Sequence, residues 1–72
     1  MEKKENYVIY FESNENEGNT GYFQRMDKIG FLSTKFKEQA KIFKTRNSVE
    51  NKIRQLADKE GKWYNFKILK SM

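Results

Sequence analysis

Aromatic rings and lysines interleave at two places in this chain, Lys41-Ile42-Phe43 and Trp63-Tyr64-Asn65-Phe66-Lys67. Successive side chains of a β-strand point to opposite faces. If Tyr64, Phe66 and Ile68 look toward a core, then Trp63, Asn65, Lys67 and Leu69 look away. If Ile42 looks inward, Lys41, Phe43 and Thr45 look away. Tyr10 and Val8 join them if Tyr7, Ile9 and Phe11 face inward. The candidate binding surface is therefore Tyr10, Lys41, Phe43, Trp63, Asn65 and Lys67. Rings on such a surface stack on bases while ammonium groups meet phosphates. The same mixture describes a protein-binding surface, with aromatic residues at its centre and lysines at its rim. A third reading closes this face with the 33–39 loop and the N-terminal segment and makes it structural.

Other chemistry finds little support. The chain has no His and no Cys, so it lacks an imidazole base, a thiol nucleophile, disulfides and Cys/His zinc sites. Ser13, Ser33, Ser48 and Ser71 have no histidine to activate them. The ten carboxylates are dispersed. Glu15 and Glu17 sit in a polar stretch that reads as a solvated loop rather than a cation site. Gly18, Gly21, Gly30 and Gly61 are scattered as turn or cap residues and form no phosphate-binding loop. The expectation is a non-enzymatic protein with no metal and no cofactor.

The elements that position the candidate face can be read in order. Tyr7–Glu12 is aromatic and β-branched, a strand with apolar residues on both parities. The stretch 13–20 is built from turn formers and reads as a mobile hairpin loop. Gly21–Met26 is the returning strand, 27–30 a turn, and Phe31–Ser33 extended again. Over 35–39 a loop is preferred to a short helix, followed by a strand at 40–44. Arg46–Gly61 is the one long amphipathic helix. Thr45, Asn47 and Ser48 are candidate caps, and Val49, Ile53, Leu56 and Ala57 form the apolar stripe. Gly61 ends the helix and Lys59 lies in its last turn. Tyr64–Ile68 alternates as a final strand. The ends, 1–6 and 70–72, read as frayed.

The 72 residues make one α+β domain: three or four antiparallel strands in β-β-β-α-β order, with one helix packed on one face. A chain this short buries only roughly 60% of its unfolded surface, and an aromatic content of 15% compensates for a hydrophobic content of 36%. No apolar run approaches the length of a membrane span, and no signal peptide is read, so a cytoplasmic location is expected. Net charge is +5. That balance favours an anionic partner, yet a lysine-rich, arginine-poor composition is also what an AT-rich genome produces. The RNA-recognition octapeptide is missing, and three arginines leave few bidentate readers of guanine.

From Gly21 onward the chain resembles small accessory proteins of phages and mobile elements of low-GC bacteria. The resemblance rests on Gly21-Tyr22-Phe23 opening a strand, Ala40-Lys41-Ile42-Phe43-Lys44-Thr45, the amphipathic helix and a short last strand. It implies an accessory protein, a class in which some members block host defence systems by binding, CRISPR inhibitors among them, and it carries over no functional residue. With no catalytic groups and aromatic strands of two faces, the first expectation is an inhibitor or modulator that docks on a host protein or protein–nucleic acid machine. Direct, largely non-specific DNA or RNA binding is the alternative, and homodimerisation through an unpaired sheet edge or the open face is a third possibility.

Overall fold

The computed structural model describes residues 6–15, 18–28 and 30–70. The elements follow in β-β-β-α-β order: β1 (Tyr7–Ser13), β2 (Thr20–Asp27), β3 (Gly30–Thr34), α1 (Arg46–Glu60) and β4 (Tyr64–Lys70). The four strands form one antiparallel sheet, β3-β2-β1-β4. This is the expected α+β arrangement. Among the expected frayed ends, 1–5 and 71–72 lie outside the described residues, and Lys70 instead pairs with Tyr7. Ser13 and Thr20 belong to strands, and Asn16 and Glu17 of the expected loop are outside the described residues, as is Ile29 of the next turn.

Alternation along β1 sorts its side chains. Tyr7, Ile9 and Phe11 are buried on the helix side. They meet Phe23, Phe43, Val49 and Leu56, with Phe31, Ile53, Phe66 and Ile68 packed around them. Burying each large apolar side chain contributes about 1.5–3 kcal/mol, so this one cluster dominates the stability of a chain of this size.

A bulge at Gln24 shapes the sheet. The β2–β3 register shifts between Phe23 and Arg25, so strict alternation breaks and Met26, paired with Phe31, returns to the side that Phe23 occupies. Phe31 lies level with Met26, five residues along β2 from Gly21, the partner of Phe11. With the bulge taking up one of the five, that is a separation of about 13 Å along the strands of a flat sheet. The Phe31 and Phe11 rings are nevertheless 5.3 Å apart, and Phe31 also meets Tyr64 and Phe66 edge-on. The distal half of the β2–β3 hairpin therefore folds back over the helix side of the sheet. Its tip reaches the last turn of α1, where Met26 and Phe31 line a small groove with Leu56 and Glu60.

The segment from β3 to α1 departs from expectation in detail. Residues 37–39 form a single 3-10 turn rather than a plain loop. The expected strand at 40–44 is reduced to one bridge, Phe43 to Tyr7, with both backbone bonds at 2.8 Å, and Lys41 N–H donates to the Phe23 carbonyl. This connector starts at Thr34, on the β3 side of β2, and enters the gap between the ends of β1 and β2. It must cross β2 between those points.

Helix α1 begins where the sequence places its caps. The Thr45 hydroxyl accepts from the Ser48 N–H at 3.1 Å, and the Ser48 hydroxyl donates back to the Thr45 carbonyl. Val49 and Leu56 are buried and Ile53 half-buried, but Ala57 is exposed and Glu60 replaces it on the stripe. Gly61 keeps an ordinary helical φ of −65° and donates to the Ala57 carbonyl, so the helix ends without a left-handed residue. Among the described residues no helix is long and apolar enough to cross a membrane.

Candidate functional site, the outer face of the sheet

The face away from α1 has a closed end and an open end. At the closed end Val8 is fully buried, and Thr34 is buried with it. Their register partners, Leu69 and Tyr22, place both on the outer face. The connector crosses here, and its Ala40 is also buried. The Thr34 hydroxyl donates to the Gln39 side chain at 3.0 Å and accepts from the Phe36 N–H, which ties the connector to the end of β3. The reading in which the 33–39 segment closes this face thus describes one half of it, and Val8 is not available to a partner.

The open end carries Tyr10, Trp63, Asn65 and Lys67. Tyr10 lies opposite Lys67 on β4 and opposite Tyr22 on β2. The Tyr10 and Tyr22 rings form a tilted pair with centroids 5.5 Å apart. Lys67 Nζ donates to Glu12 Oε1 at 3.1 Å, diagonally across the β1–β4 pair. The Asn65 amide donates to Asn14 Oδ1 at 2.7 Å, and the Asn14 amide donates in turn to the Lys62 carbonyl at 3.1 Å. Trp63 continues the ladder, its carbonyl accepting from the Asn14 N–H at 2.8 Å, and its side chain is 50% exposed. Tyr22, Glu12 and Asn14 are members of this face that strand alternation in β4 alone did not bring out. The signal for Tyr22 was its parity opposite the buried Phe23.

Lys41 and Phe43 do not belong to it. Phe43 is buried in the helix-side core, its ring stacked on Phe23 at 6.2 Å, and Ile42 is the exposed residue of the pair, at 40%. The expected parity is inverted because the bridge to Tyr7 is what fixes this segment, and it sets Phe43 beside Tyr7, itself in the core. Lys41 is exposed, with its ammonium 5.7 Å from the Phe43 ring centroid, so it shares the side of Phe43.

Backbone bonding also fixes which groups the outer edge of β4 presents. Tyr7 and Ser13 bond away from β4, to Phe43 and Asn19, while Asn14 bonds to Trp63. By alternation Val8, Tyr10 and Glu12 bond β4 at Leu69, Lys67 and Asn65. Tyr64, Phe66 and Ile68 therefore turn their N–H and C=O groups outward along the sheet edge.

Glu12 is committed to Lys67, and among the described residues no group of three His, Cys, Asp or Glu side chains is placed to hold a metal. Glu17, one half of the acidic loop pair, lies outside the described residues. No family model matches the chain, and neither the curated proteins nor the solved structures contain a match to it.

Proposed function

We propose that this protein is a non-enzymatic binding module of phage or mobile-element type that inhibits or modulates a host protein or protein–nucleic acid machine, and that it docks through the open end of its outer sheet face. One observation carries the reading. The open end carries the aromatic residues Tyr10, Tyr22 and Trp63 together with a lysine paired with Glu12 and an asparagine held by Asn14. An open end with several rings and its one lysine paired matches the centre of a protein interface, where Tyr and Trp are enriched and free lysine is depleted. It suits a phosphate backbone poorly, because Lys67 would have to leave Glu12 to meet a phosphate.

The test is retention of protein from a nuclease-treated lysate of a low-GC bacterium on the immobilised chain. The wild-type chain retains a specific partner, and Trp63→Ala combined with Tyr22→Ala loses it. Retention of nothing, or equal retention by the variant, contradicts the proposal.

A further inference from the structure

A run of lysines without ion-pair partners among the described residues lies on the connector between β3 and α1, apart from the open end of the outer face. Lys35, Lys37, Lys41 and Lys44 fall within ten residues, against Glu38 alone. None of the four lysines has an ion-pair partner among the described residues, in contrast to Lys67 with Glu12 and Arg46 with Glu50. Three of them are exposed and Lys37 is half-buried. Between Lys35 and Lys37 stands Phe36, the most exposed large apolar side chain among the described residues at 58%. Its backbone is fixed on both sides: its N–H donates to the Thr34 hydroxyl, and its carbonyl accepts from Gln39 N–H at 3.0 Å. The ring is therefore held out to solvent by an ordered turn.

We propose that this connector is a binding site for single-stranded nucleic acid, with the Phe36 ring as a stacking platform for a base and Lys35, Lys37, Lys41 and Lys44 as contacts to the phosphates on either side of it. Lys41 rests with its ammonium 5.7 Å from the Phe43 ring, and Phe36 stands between Lys35 and Lys37 in the chain; an exposed ring on a lysine-rich segment is the combination that non-specific single-strand binders use. Base stacking tolerates any sequence, which agrees with the absence of arginine from the connector before Arg46. An anionic membrane is the lesser fit. An interfacial helix needs an apolar face opposite a Lys/Arg-rich polar one, whereas the connector has only a single turn over 37–39 and the outward face of α1 mixes Asn51, Arg54 and Asp58.

The experiment is a fluorescence-anisotropy titration of the full chain with a labelled twelve-nucleotide oligo-dT, the matching RNA and a duplex, at about 50 and about 200 mM salt. Four phosphate contacts give a salt exponent near −2.8 for a single strand, so affinity falls about fifty-fold over that range. The single strands bind more tightly than the duplex, and Phe36→Ala weakens them roughly ten-fold. Lys37→Glu with Lys41→Glu abolishes binding, while Lys59→Glu with Lys62→Glu, the same change in net charge at the far end of α1, leaves most of it. Four results overturn the proposal: no binding at the lower salt, equal loss in the two charge-reversed variants, no effect of Phe36→Ala, or a preference for vesicles of mixed phosphatidylcholine and phosphatidylserine over the oligonucleotides.

Discussion

Lys67 on β4 and Glu12 on β1 form an ion pair across the outer face, Nζ to Oε1 at 3.1 Å. The pair decides how that face reads. An unpaired lysine opposite Tyr10 is an invitation to a phosphate, and a neutralised one is part of the polar surround of an aromatic face. Four lysines without ion-pair partners among the described residues then stand on the connector, and the open end of the sheet keeps its aromatic surface. The two functions proposed above occupy different parts of the molecule for that reason.

The pair contributes to chemistry more than to stability. Both side chains are about half exposed, Lys67 at 60% and Glu12 at 44%, and exposed ion pairs are worth about 0.2–1 kcal/mol. Glu12→Gln is expected to lower the unfolding free energy by less than about 1 kcal/mol, read from urea denaturation with an unchanged slope.

Ile42 and Phe43 give opposite outcomes on substitution. Ile42→Lys puts a charge on an already exposed position and leaves the circular dichroism spectrum and melting temperature close to wild type. Phe43→Lys places an ammonium between Phe23 and Tyr7 in the core. The cost of an unpaired buried charge reaches several kcal/mol, a large share of the roughly 5–15 kcal/mol that holds a domain together, and the variant is expected to be unfolded at 25 °C.

Gly21 is required by the ring above it. A Cβ there would lie 3.1 Å from the Phe11 ring and 3.0 Å from the Thr34 carbonyl oxygen. The ring has no room to retreat, since Phe31, Tyr64 and Phe66 surround it. Gly21→Ala is expected to destabilise by about 1–3 kcal/mol, as overpacked cores do, again measured by urea denaturation.

Helix α1 is anchored by Leu56 and capped by Thr45. Leu56→Ala is expected to cost about 2–5 kcal/mol, and Thr45→Ala about 0.5–2 kcal/mol through loss of the bond to the Ser48 N–H. Thermal melts of the two variants should rank in that order, with wild type highest.

The sequence was most legible where period and chemistry agreed. The β-branched and aromatic run of β1, the Thr45–Ser48 cap and the Val49, Ile53, Leu56 stripe all point to the same α+β fold, and each is where it was expected. Legibility failed where one backbone event sets the parity. Ile42 and Phe43 are both apolar neighbours, so composition cannot choose between them, and the bridge to Tyr7 chose Phe43. The bulge at Gln24 leaves no mark in hydrophobic alternation, yet it folds the β2–β3 hairpin over the core. Of the candidate face, Tyr10, Trp63, Asn65 and Lys67 could be found by counting in twos along extended strands. The long-range pairs that decide its charge and polar contacts, Lys67 with Glu12 and Asn65 with Asn14, depend on the β1–β4 register, which no local pattern encodes.

The most direct test of the docking face is photo-crosslinking from within it. The chain carrying Trp63→benzoylphenylalanine, irradiated in nuclease-treated lysate of a low-GC bacterium, should yield one dominant protein adduct, and Asn51→benzoylphenylalanine on the solvent side of α1 should yield none. An adduct from the Asn51 position alone, or no adduct from either, would contradict the assignment of the outer face as the protein-binding surface.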